Sequence, residues 1–81
     1  MNISNSIRQY RLQNNLTQEE LADTISVSRQ TIIAIEKGNY TPSLLLAMQL
    51  AKYFKVTVED LFSVKWYNVR YQYTNVFKWY E

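Results

Sequence analysis

The chain has 81 residues and among them no cysteine and no histidine. The first absence excludes disulfides and thiolate metal sites. The second removes the commonest general base and the commonest metal ligand. There is one glycine, Gly38, and one proline, Pro42, so there is no glycine-rich phosphate loop and little low-complexity linker. No apolar run is long enough to span a bilayer; the longest lies within Leu44 to Ala51. Met1-Asn2 does not open a signal peptide, and a cytoplasmic location is expected. Charge of one sign is also scarce. The net charge is +2; residues 1–40 balance four cations against four anions, and residues 41–81 carry five against three. A non-specific coat for nucleic acid is far more basic, so any nucleic-acid function rests on where the cations stand.

What is present is a hydrophobic fraction of 47%, enough for one small folded domain with one core. Its organising stretch is Thr17 to Asn39. Thr17 with Glu20 three residues later forms a capping box, and Leu21, Ala22 and Ile25 continue at helical spacing. After Ser26-Val27, Ser28 caps a second helix whose inner positions are Ile32 and Ile35, and Gly38 suits its left-handed end. Two short helices so joined are the sequence form of a helix-turn-helix, whose second helix can lie in the major groove of DNA. At 100° per residue Arg29, Gln30, Ile33, Ala34 and Lys37 share the outer arc. A forked cation, an amide and aliphatic carbon are the groups that read base edges. An ordinary solvated helix face would carry similar residues.

The remaining segments frame that pair. Ile3 to Asn14 is expected as a first helix, capped by Ser4 or Ser6, with Ile7, Tyr10 and Arg11 inward and Asn15 in a left-handed terminal position. After the Asn39–Ser43 loop, Ser43 to Phe54 is expected as a helix with Leu44, Ala47, Met48, Leu50, Ala51 and Phe54 in the core. Thr57 caps a brief fifth helix, Val58 to Phe62, with Glu59 and Asp60 in its first turn. The character then changes. In Val64 to Glu81, Tyr67, Val69, Tyr71, Tyr73, Phe77 and Trp79 alternate with polar residues, a period-2 strand pattern. A heptad-like series through Trp66, Val69, Tyr73, Val76 and Tyr80 coexists with it, and residue type favours strand. A two-stranded ribbon is marginal alone. Its aromatic face is expected to cover a second subunit or the helical core; stacking on single-stranded nucleic acid is a third option.

Four motifs together resemble the Cro/CI type of helix-turn-helix repressor, the XRE family: Leu16-Thr-Gln-Glu-Glu-Leu-Ala, Val27-Ser-Arg-Gln-Thr-Ile, Ile35-Glu-Lys-Gly and Pro42-Ser. The resemblance runs from about Ile7 to Phe62, and the aromatic ending after Asp60-Leu-Phe is most similar to the small cytolysin-repressor type. It implies a mainly α fold, a five-helix lambda-repressor-like bundle with a short C-terminal antiparallel β extension. The implied organisation is a DNA-binding domain over 1–63 and an aromatic β extension over 64–81 that dimerises through Tyr67, Val69, Tyr71, Tyr73, Phe77 and Trp79. The resemblance further implies that Gln18 holds a phosphate and that Ser28, Arg29, Gln30 and Thr31 lead into the groove, followed by Ile33 and Ala34. Lys37, the Gly38 and Asn39 backbone amides and Tyr40 would meet phosphates, and Arg11 with Glu36 matches the family's buried ion pair. One departure stands out: Ser26 occupies the turn position where the family usually has glycine.

The function expected is sequence-specific binding of double-stranded operator DNA by a homodimer, repressing transcription without catalysis, cofactor or metal. The competing expectation is an antitoxin-like interaction module whose aromatic tail binds a protein partner. An enzyme is disfavoured, because the carboxylates sit mainly at helix N-termini, where capping accounts for them. No residue pattern points to a small-molecule effector.

Overall fold

The computed structural model describes residues 2–65, and all structural statements refer to them. Five helices are bracketed by two short strands: β1 (Asn2–Asn5), α1 (Ile7–Gln13), α2 (Gln18–Ile25), α3 (Arg29–Lys37), α4 (Leu44–Phe54), α5 (Val58–Leu61) and β2 (Phe62–Lys65). The strands pair antiparallel in the register Asn2↔Lys65, Ile3↔Val64, Ser4↔Ser63 and Asn5↔Phe62. The fold is thus the expected mainly helical bundle with a short antiparallel sheet. The aromatic positions from Tyr67 to Trp79 lie outside the described residues. Among the described residues no helix is long and apolar enough to cross a membrane.

Sequence capping set the helix starts. Thr17, Ser28, Ser43 and Thr57 each accept the backbone N–H three residues on, and Thr17 with Glu20 and Thr57 with Asp60 complete reciprocal capping boxes. The helix ends repeat one device. Leu16, Val27, Asn39 and Val56 each donate their backbone N–H to the carbonyl five residues back, across a left-handed residue. With one glycine in the chain, that left-handed position falls to Asn15 (φ 58°), Ser26 (φ 66°) and Lys55 (φ 61°) as well as to Gly38 (φ 81°). The residue after it packs on the core in three cases, as Leu16, Val27 and Val56, and is the exposed Asn39 in the fourth.

The core joins all five helices: Ile7, Leu21, Ala22, Ile25, Ile32, Ile35, Leu46, Leu50, Ala51, Phe54 and Leu61. Four expectations are corrected here. The segment Ile3–Ser6 is not helical: Asn2–Asn5 is a strand, because it pairs with Phe62–Lys65 at the other end of the described chain. Neither serine caps α1 by its side chain; the Asn5 Oδ1 accepts the Ile7 N–H instead. The fifth helix stops at Leu61, one residue earlier than expected, and Phe62 already belongs to β2. On α4, Leu44 and Met48 are solvent-exposed while Leu46 enters the core. The helix is apolar nearly all round, and the row Leu46–Leu50–Phe54 with Ala47 and Ala51 is the one that meets its neighbours.

Candidate nucleic-acid interface

The paired helices α2 and α3 hold the site. Ser26 makes the turn between them in the left-handed region at φ 66°, where a residue with a Cβ is strained and glycine is not. Ile32 and Ile35 are fully buried, which fixes the rotation of α3 about its axis. That rotation leaves Arg29, Gln30 and Lys37 exposed, with Ile33 and Ala34 half-buried beside them. Ser28 is committed locally: its hydroxyl accepts the Thr31 N–H at 3.1 Å and lies 3.0 Å from the Thr31 hydroxyl. The first turn of α3 contains no acidic residue, whereas that of α2 has Glu19 and Glu20. The partial positive charge at the start of α3 is therefore open to an approaching anion, and that of α2 is answered by its own carboxylates.

A buried ion pair braces the two helices against α1. Arg11 Nε donates to Glu36 Oε2 at 2.7 Å, and the two side chains are 9% and 6% exposed. Arg11 Nη2 donates to Glu36 Oε1 at 3.1 Å and Nη1 to the Leu16 carbonyl at 2.9 Å. Gln18 Nε2 also donates to Glu36 Oε1, at 3.1 Å. One carboxylate thus orients an arginine from α1 and the first side chain of α2 from the last turn of α3. Gln18 has one amide hydrogen engaged in this way, and its second has no partner among the described residues.

Gln18 and Arg29 line one polar cleft with Arg8, Arg11, Thr17 and Glu19. Arg8 was missed by sequence reasoning, and the signal available was its i, i+3 spacing from the inward Arg11. At the other end of α3 an expectation is corrected. The Gly38 and Asn39 backbone amides already donate to the Ile35 and Ala34 carbonyls, both at 2.9 Å, so they are not open phosphate ligands. The exposed Lys37 ammonium and the Asn39 side chain are what that end presents, followed by the half-exposed Tyr40. Among the described residues no group of three or more carboxylates is placed to hold a metal ion.

The family model described as helix-turn-helix matches residues 7–61, which takes in all five helices and the whole of this site. The chain belongs to the helix-turn-helix family. An uncharacterized HTH-type transcriptional regulator of Methanocaldococcus jannaschii is 58% identical to it over 60 residues, covering 74% of this chain and 91% of that one. The cryptic phage CTXphi transcriptional repressor RstR of Vibrio cholerae is 40% identical, covering 74% of this chain and 54% of its own length. Among solved structures, the SOS-response transcriptional repressor LexA from Eubacterium rectale superposes with a TM-score of 0.67 at 34% identity, covering 76% of this chain and 66% of that chain.

Proposed function

We propose that this helix-turn-helix protein is a sequence-specific DNA-binding transcriptional regulator, a repressor that acts as a homodimer on an inverted-repeat operator. The observation that carries the reading is the outer face of α3: a fork, an amide and two aliphatic groups on one arc, on a helix whose rotation is set by buried Ile32 and Ile35. The family and the relatives named as transcriptional regulators support the same reading.

In this mechanism the start of α3 enters the major groove. Arg29 chelates guanine O6 and N7, Gln30 pairs with adenine, and Ile33 and Ala34 meet thymine methyl groups one turn later. Ser28 and Thr31, bonded to each other, form a short polar edge at the helix start. Gln18 and Arg8 hold a phosphate on one side of the groove, and Lys37 with the Asn39 side chain holds one on the other. The Arg11–Glu36–Gln18 network sets the distance between phosphate clamp and reading helix. Two copies related by a two-fold axis place their reading helices about 34 Å apart, and occupancy of a promoter blocks transcription without catalysis.

Selection of binding sites from a random duplex pool, followed by affinity of the winner across a salt series, tests the proposal. An enriched inverted repeat bound far more tightly than random duplex supports it. No enrichment, with residual binding lost by moderate salt, would sink it.

A further inference from the structure

Helix α3 is a short rod, nine residues and so about 13 Å long, and burial of Ile32 and Ile35 fixes its rotation. Apolar burial is non-directional, so it does not by itself fix how the rod is tilted or slid along its axis. Polar contacts from other elements can, and they gather at one end. Glu36 receives Arg11 and Gln18 on its carboxylate. One position earlier, Asn5 Nδ2 donates to the Ile35 carbonyl at 2.8 Å. Among the described residues this is the one hydrogen bond from a side chain of another element to the backbone of α3.

Asn5 is itself held on both sides. Its Oδ1 accepts the Ile7 N–H at 3.1 Å, its strand pairs it with Phe62, and the next residue, Ser6, donates its N–H to the Leu61 carbonyl at 2.8 Å. An N–H on one side and a carbonyl on the other admit one orientation of the amide. A carboxylate lacks the donor, and a hydroxyl is a bond too short for the span. The Ile35 carbonyl lies in the last turn of α3, where helical donors run out, so the contact also stabilises the helix end. Its neighbours give it a second role: Ile33 and Ala34, half-buried on the outer arc, directly precede Ile35.

We propose that Asn5 is a positioning residue for DNA reading: through the Ile35 carbonyl it sets the depth at which Ile33 and Ala34 meet the groove. The inference rests on the DNA-reading proposal above and deepens it, because it gives strand β1 a part in specificity. Asn5 stands outside residues 7–61, the stretch that the family model matches. A binding constellation must be held within about 0.5 Å. Arg29, at the far end of the helix, has a long side chain that follows a small shift, whereas the Ala34 methyl is fixed to the backbone. Loss of the anchor therefore falls on the base pairs met by Ile33 and Ala34 and spares the one met by Arg29.

The test uses the full-length chain, the duplex enriched from the random pool and a random duplex of equal length. Asn5→Asp keeps the shape and the acceptor for Ile7 but brings no hydrogen to Ile35. Asn5→Ser keeps an acceptor, adds no charge and falls short of Ile35. Thr57→Ala removes the cap of α5 and controls for general destabilisation. The readout is the ratio of the two affinities, in which the repulsion added by aspartate cancels. Both Asn5 variants should lower that ratio about fivefold to tenfold. Repeated selection should relax base positions other than the one that Arg29→Ala relaxes. Thr57→Ala should lower the urea midpoint and leave the ratio unchanged. An enriched duplex whose ratio is unchanged in both Asn5 variants would overturn the positioning role and leave DNA reading standing. A ratio that falls as far in Thr57→Ala would overturn it too, since Asn5 would then be a stabilising contact alone. If the unaltered protein enriches no duplex, DNA reading and this role fall together. Should Asn5→Asp not fold, Asn5→Ser decides.

Discussion

Helices α3 and α4 are nine and eleven residues long, and both contribute a row of buried aliphatics to the same core. Their outward faces differ. That of α3 has arginine, glutamine and lysine in the open with its aliphatic groups half-covered, and that of α4 has two leucines and a methionine in the open. Core burial explains neither face. A polar arc of fork, amide and cation suits a polar, patterned partner such as base edges and phosphates. An apolar stripe suits a partner that is itself apolar. The comparison teaches that in a domain this small the two faces left over after core formation are the best guide to what the domain touches.

The comparison can be broken at several points. The largest effect is expected at the brace beneath α3. Glu36→Ala strands Arg11 as a buried, unpaired charge and should cost about 3–5 kcal/mol in urea unfolding, and replacing both partners by apolar residues of similar size should cost much less. Next come paired truncations on α4. Leu50→Ala, at a fully buried position, should lose about 2–5 kcal/mol, whereas Leu44→Ala, at an exposed one, should stay within about 0.5 kcal/mol. Equal losses at 44 and 50 would erase the distinction between core row and outer stripe. On α3, Arg29→Ala should cost about 1–3 kcal/mol at the selected operator and relax one base position, while Lys37→Ala should weaken all duplexes alike and reduce the salt slope by about 1. Identical profiles for the two would remove the division between reading and clamping. The smallest change is a gain: Ser26→Gly relieves a left-handed residue and should raise stability by about 1 kcal/mol, read as a higher urea midpoint at unchanged slope.

The parts of this structure legible in the sequence are those written by local chemistry. Thr17, Ser28 and Thr57 announce helix starts because a side-chain oxygen reaches an N–H three residues away, a distance any reader of the chain can count. Gly38 and Asn15 announce left-handed ends for a similar reason. What was not legible depends on residues far apart. Nothing within Asn2–Asn5 demands a strand; the partner that makes it one begins at Phe62. Leu44 and Leu46 are the same residue type two positions apart, and only the docking of α4 on α2 and α5 decides which is buried. The outer arc of α3 follows from periodicity, and the engagement of the Gly38 and Asn39 amides is likewise local, set by the left-handed helix end at Gly38. Arg8 joins the site through the cleft it lines with residues ten and twenty-one positions on, Gln18 and Arg29.

The pairing of β1 with β2 has a kinetic consequence. The Ser4 and Ser63 hydroxyls meet at 2.8 Å across 59 residues of chain, and Asn5 Nδ2, next to Ser4, donates to the Ile35 carbonyl at 2.8 Å. Helices α1 to α5 form from near neighbours, but this sheet closes the longest loop in the domain, a step whose entropy is recovered only once the bundle is in place. Its closure is therefore expected late in folding, after the transition state. Weakening it with Ser63→Pro should leave the folding rate nearly unchanged and speed unfolding, so the sheet acts as a latch on the lifetime of the folded domain.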